Sequence, residues 1–174
     1  RSIEEARIEK VAGRLRRIVM GNALDGATTF GPLASARQCT RVMRYIESAQ
    51  AEGAQLVAGG QRALPQSGGY FVQPTVFRRV SPDARIAQEE IFGPVLSVMA
   101  FDDEAEAIRM ANATTYGLGA YVWTASLSTG MRMAKGIRST VSINAAAPLG
   151  EGPGHAVSCE PARQSGIGAE GGLD

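Results

Sequence analysis

The sequence predicts an α/β fold, an open, mostly parallel twisted sheet with helices on both faces. Three observations carry that prediction. From Val95 onward, apolar runs of strand length alternate with amphipathic segments of helix length. Gly and Pro punctuate the intervals. The resulting β-α-β order favours parallel neighbours joined by right-handed crossovers.

The elements follow in order. Ser2 with Glu5 forms a capping-box pattern, and Ile8, Val11, Ala12, Leu15, Ile18 and Val19 recur at helical spacing, which predicts a first helix to about Met20. Gly21 to Pro32 has no periodicity and reads as a loop. From Ser35, a second helix aligns Cys39, Val42, Met43, Ile46 and Ala49 on one face and ends near Gly53. Leu56 to Ala58 is a short strand closed by Gly59-Gly60, and Gln61 to Gly69 is a surface excursion. Tyr70 to Val80 is extended, with Pro74 breaking it or confining it to an edge. Then come strand Val95 to Phe101, helix Asp103 to Ala113, strand Gly119 to Thr124, helix Leu127 to Arg138 and strand Thr140 to Asn144. The Gly-rich tail Pro148 to Asp174 is expected to lack regular structure of its own. The whole reads as one domain, with an α/β core over 1–144 and a Gly-rich loop and tail over 145–174.

At 174 residues the chain is long enough to bury one core. A formal net charge of +1 gives no electrostatic footprint for nucleic acid or an anionic membrane, and no apolar run approaches membrane-spanning length. Cys39 and Cys159 fit no metal or disulfide framework, which suits a reducing cytoplasm. The start at Arg1 without Met leads us to expect a preceding segment.

In open parallel sheets, ligands gather beyond the carboxyl ends of the strands. That geometry makes Ala145 to Gly154, after the strand ending at Asn144, a candidate site wall. The richest stretch for chemistry is Gln88-Glu89-Glu90-Ile91-Phe92-Gly93-Pro94. A carboxylate accepts hydrogen bonds from both hydroxyls of a ribose at once. By residue type alone, however, Glu89 and Glu90 are equally solvated loop charges, and Phe92 is core. Gly93 is expected to take a backbone conformation barred to other residues, and Pro94 to fix the start of the strand.

Four further features carry less. Gly166-Ile167-Gly168-Ala169-Glu170-Gly171 spells G-x-G-x-x-G but lacks the strand-to-helix setting and the downstream acid that a dinucleotide site needs. His155, Cys159 and Glu160 invite a thiol-hydrolase reading, yet clustering in sequence is not how triads are built. Cys39, on an apolar helix face, is expected to be a small buried hydrophobe. Asn112-Ala113-Thr114 is a formal glycosylation sequon with no secretory signal to give it meaning.

Taken with Asn112-Ala113-Thr114-Thr115-Tyr116-Gly117-Leu118 and Ser142-Ile143-Asn144, the Glu90 stretch resembles the aldehyde dehydrogenase superfamily, in motif order and spacing, from about Ser2 to Gly172. The resemblance implies the C-terminal part of a catalytic domain with a Rossmann-like sheet. It implies Glu90 as ligand to the nicotinamide ribose, Phe92 packed against the same end of NAD or NADP, and Asn144, Ala145 and Ala146 near the substrate. It also implies an aldehyde substrate and a homo-oligomer or self-associating chain. Family chemistry proceeds by thiolate attack on the aldehyde, hydride transfer and thioester hydrolysis. The nucleophilic Cys, the general-base Glu and the nucleotide-binding fold are expected upstream of Arg1, so no catalytic residue and no metal ligand is assigned here, and the stretch alone is expected to be inactive. The alternative is a non-catalytic protein of the same fold that binds a partner subunit. Ser158 to Arg163 stands where the family usually has Pro-Phe-Gly-Gly-aromatic-Lys, so Glu160 and Pro161 replace glycines, and Ala169 replaces a common Arg.

Overall fold

The computed structural model describes residues 3–145 and 161–168. The chain divides into two compact units, Arg1–Ala100 and Phe101–Asp174. Both are α/β.

In the first unit, helix α1 spans Glu4–Leu15, with Ile3 at its N-cap and no side-chain cap. Ser2 lies outside the described residues. The helix stops short of Met20 because the amides of Arg17 and Ile18 bond back only three residues, to the carbonyls of Arg14 and Leu15. The chain then leaves the helix, and the Val19 carbonyl accepts from the amides of Thr29 and Phe30. Helix α2, Ala36–Ala51, begins where the sequence places it, with the Ser35 side chain accepting from the Gln38 amide. Its inner face of Cys39, Val42, Tyr45, Ile46 and Ala49 joins Val72, Phe77, Val80 and Ile86 in one core cluster.

That core rests on a three-stranded sheet ordered β1-β4-β5, in which β1 is Gln55–Ala58, β4 is Thr75–Arg78 and β5 is Val95–Ser97. β1 pairs antiparallel with β4, and β4 pairs parallel with β5. The crossover between β4 and β5 carries a four-residue helix α3, Arg85–Gln88, too short for periodicity to reveal. The expected excursion at 61–69 holds strand β2, Arg62–Ala63, which pairs antiparallel with β3, Phe71–Val72. Pro74 separates β3 from β4, so the stretch read as one extended run is two strands. At the end of β1, Gly59 has φ +77, and a Cβ there would lie 2.3 Å from the Pro74 carbonyl oxygen, so this closure requires glycine.

In the second unit, helix α4 spans Glu104–Ala111 and helix α5 spans Leu127–Gly136, capped by the side chains of Asp103 and Ser126. Strand β7, Gly119–Val122, runs through α5 into β8, Thr140–Ile143, and the two pair in parallel over four residues each. This is the second of the two β-α-β units read from the sequence; in the first, the strands on either side of α4 belong to different sheets, β5 pairing with β4 and β7 with β8. The α4–α5 approach is close: a Cβ on Gly136 would lie 2.7 Å from Ile108 Cδ1. One expectation is corrected here. The tail is not wholly irregular, since Ala162–Arg163 forms strand β9, antiparallel to β6, Tyr116–Gly117. Gln164 and Ser165 lengthen the seam, the first by donating its amide to the Thr115 carbonyl at 3.0 Å, the second by accepting the Gly117 amide on Oγ at 2.9 Å.

Candidate functional site

The segment from Glu89 to Pro94 lies across α2 and is held there by that helix's polar side chains. Nε2 of Gln38 donates to the carbonyls of Ile91 at 2.9 Å and Phe92 at 2.7 Å. One turn on, an Arg41 guanidinium nitrogen donates to the Glu90 carbonyl at 2.8 Å. Three consecutive carbonyls that would otherwise need water are thereby satisfied. The residue with the unusual backbone is Phe92, at φ 52, and not Gly93 as the sequence suggested. Gly93 is required for proximity instead, because a Cβ there would lie 2.4 Å from Val42 Cγ2.

The two acids differ in environment. Glu89 accepts from the Tyr45 hydroxyl at 2.6 Å and from Arg85 at 3.1 and 3.3 Å. The Arg85 guanidinium, and after it the Tyr45 hydroxyl, hold the Glu89 carboxyl below the usual carboxylate range. Tyr45 is 5% exposed. Two guanidiniums lie over its ring, with the carbon of Arg41 5.5 Å and that of Arg85 5.3 Å from the ring centroid. Glu90 is half-buried, and among the described residues no donor meets its carboxylate. Phe92 is 70% exposed, so it is not a core residue. Glu90 and Phe92 line one open recess of ≈ 340 Å³ with Ile86, Gly93 and Val95. Chemically, this is a free carboxylate beside an uncovered aromatic face, able to take paired hydroxyls and a flat ring.

Asn144 and Ala145 belong to the second unit. The Asn144 amide spans the end of the parallel pair, Oδ1 accepting from the Thr124 amide at 2.9 Å and Nδ2 donating to the Thr124 carbonyl at 2.8 Å. Its φ of 52 suits an Asn better than most residues. The side chain is therefore committed to closing the strand, and Ala145 next to it is exposed. Ala146, His155, Cys159 and Glu160 lie outside the described residues. Cys39 is 3% exposed in the apolar core. The Asn112 amide of the sequon is used internally: Nδ2 donates to the Gly136 carbonyl at 2.7 Å, and Oδ1 accepts from the Arg138 amide at 2.8 Å.

Sequence reasoning missed Gln38, Arg41, Tyr45 and Arg85. For the first three, the available signal was a line of polar and aromatic residues at helical spacing along the edge of the apolar face of α2.

Among the described residues, no helix is long and apolar enough to cross a membrane. Residues 1–174 match the model of the aldehyde dehydrogenase family. Among solved structures, the γ-glutamyl-γ-aminobutyraldehyde dehydrogenase of Burkholderia cenocepacia is 44% identical, with a TM-score of 0.90, over 98% of this chain and 34% of its own. The indole-3-acetaldehyde dehydrogenase AldA of P. syringae, in complex with NAD+ and IAA, is 42% identical with a TM-score of 0.92, over 99% of this chain and 34% of its own. An aldehyde dehydrogenase of Mycobacterium tuberculosis complexed with NAD+ is 39% identical with a TM-score of 0.88, over 98% of this chain and 34% of its own. The chain thus spans about a third of the length of each of these proteins.

Proposed function

Since the chain belongs to the aldehyde dehydrogenase family, we propose that it contributes the nicotinamide-ribose end of an NAD(P)-dependent oxidation of an aldehyde to a carboxylic acid. Glu90 accepts hydrogen bonds from the ribose hydroxyls, and the exposed ring of Phe92 lies against the same end of the dinucleotide. One observation carries this reading: of two adjacent carboxylates, Glu89 is saturated by Arg85 and Tyr45, whereas Glu90 has no donor among the described residues. A nicotinamide held there would supply the hydride acceptor for the oxidation. The work of this chain is to bind and orient. Asn144, by closing its strand, sets where Ala145 leaves it toward the proposed substrate wall.

The nucleophile and base of the proposed reaction lie outside this stretch. Its one described thiol, Cys39, is sealed in the core and cannot reach an aldehyde. Residues 1–174 are on this reading one part of a larger catalytic domain, working in the reducing cytoplasm and self-associating through exposed apolar side chains. A non-catalytic protein of the same fold would need no free acid beside an uncovered ring.

Two measurements test the proposal. The polypeptide alone, assayed with several aldehydes and either NAD or NADP, is expected to give no turnover above background, and any such turnover refutes the division of labour. Nicotinamide mononucleotide, titrated at millimolar concentration and followed by NMR, is expected to perturb Glu90 to Gly93. Glu90→Gln should weaken that response about fivefold or more, since a charged acceptor becomes a neutral one. An unchanged affinity, or perturbations elsewhere, removes Glu90 from the site.

A further inference from the structure

Resting on the reading of Glu90 as the ribose ligand, we propose that Tyr45 and Glu89 are positioning residues, whose hydrogen bond fixes which of two adjacent carboxylates is left free at the recess. Glu89 has φ −113 and ψ 149, an extended conformation. In extended backbone, successive side chains leave on opposite sides. Anchoring the Glu89 carboxylate to α2 therefore turns the side chain of Glu90 the other way. Both residues line the recess, yet only the carboxylate of Glu90 is without a donor among the described residues.

The anchor is rigid for reasons that can be named. Tyr45 is buried on α2, and its hydroxyl donates to Glu89 at 2.6 Å. Arg41 and Arg85 both lie over its ring. Arg85 is one helical turn before Glu89 and donates to it through two nitrogens, so the acid is held from its own helix and from α2 together. Arg41 also donates to the Tyr45 hydroxyl at 3.3 Å and to the Glu90 carbonyl at 2.8 Å, which ties the ring to the backbone of the next residue. A swap of the two acids would break these contacts and bury nothing in return. The free acid is thus selected by a tyrosine 44 positions before the neighbouring acid that it anchors.

The test compares the chain with Tyr45→Phe, Glu89→Gln and Glu89→Ala. Tyr45→Phe keeps the ring under the guanidiniums and removes only the hydroxyl. By carbon-13 titration, the Glu89 carboxyl should then move up toward the usual carboxylate range. The Val95 amide, bonded to the Gly93 carbonyl at 2.8 Å, should exchange about tenfold faster, while amides of β7 keep their rates. Affinity for nicotinamide mononucleotide should fall about fivefold. Glu89→Gln retains an acceptor oxygen for Tyr45 and should recover most of the affinity lost in Glu89→Ala, a rescue that loss of fold stability would not give. Unchanged exchange at Val95 with unchanged affinity in Tyr45→Phe overturns the proposal, as does a Glu89→Gln no better than Glu89→Ala. If the unmodified chain shows no response to the mononucleotide at Glu90 to Gly93, the ribose reading fails by itself. The positioning pair is then judged on exchange and titration alone, where an unchanged Tyr45→Phe sinks it and the expected changes uphold it.

Discussion

A missing side chain decides how closely the Ile91–Pro94 turn lies on α2. Gly93 sits over Val42, a fully buried residue, and an added methyl would come within 2.4 Å of its Cγ2 and 3.0 Å of its Cγ1. Neither neighbour yields easily, since Val42 is locked in the core and the turn is held by Gln38 and Arg41. Gly93→Ala is therefore expected to destabilise the first unit by about 1–3 kcal/mol in urea denaturation. Adding Val42→Ala should return part of that loss, a coupling that a double-mutant cycle measures; strict additivity of the two substitutions would refute the contact. At this scale the sequence was half legible. The Glu90 motif announced itself, because its residues are contiguous. Its supports did not, since Gln38, Arg41 and Tyr45 precede their partners by between 44 and 54 positions, a separation that only folding closes. The role of Gly93 was misassigned for a similar reason: the left-handed backbone belongs to its neighbour Phe92, and contact with a distant valine was invisible.

Between elements, the second unit holds α4 to α5 with a compact polar cluster. Arg132 on α5 meets the Glu104 carboxylate at 2.8 and 2.6 Å, and the Thr129 hydroxyl donates to the same group at 2.9 Å. The Arg132 guanidinium, followed by the Thr129 hydroxyl, lowers the Glu104 carboxyl to about 2. A depressed folded value fixes the sign. Whatever this tie contributes is fully present above the unfolded carboxyl value and fades as pH falls from there toward 2. Both side chains are exposed enough that solvent screens the pair, so the expected signature is the titration itself rather than a large change in stability. Carbon-13 titration should show Glu104 with a low midpoint that rises toward the ordinary range in Arg132→Ala; the same midpoint in both forms would show that the pair does not exist in solution. Elements with both a cap and a period were legible, as α2, α4 and α5 show with Ser35, Asp103 and Ser126 where capping residues belong. Elements of two to four residues were not. α3 and β9 have no period to detect, and β9 exists because Tyr116–Gly117 is there to pair with it.

For the molecule as a whole, the most telling surface is the apolar one on the second unit. Along β7 the pleat sends Tyr121 outward while Ala120 and Val122 are half-buried, and Trp123 just beyond the strand is exposed with Tyr121. Tyr121 is 58% exposed, Trp123 63% and Leu127 75%, and Leu118 and Met131 are exposed as well. Single exposed apolar residues are ordinary, but Tyr121 and Trp123, two positions apart at the end of β7, are both left open, and a pair of large aromatics gains by being covered. A formal net charge of +1 offers little repulsion to oppose contact between copies. We therefore expect the chain to self-associate at micromolar concentration, seen as a rise in apparent mass by light scattering. Trp123 is the one tryptophan in the sequence, so its fluorescence reports on this surface alone. Acrylamide quenching should weaken as concentration rises, and Tyr121→Lys should restore both the quenching and a monomeric mass. A monomer at every concentration, or association that leaves Trp123 as open to quencher as before, would show that this surface is not what brings copies together.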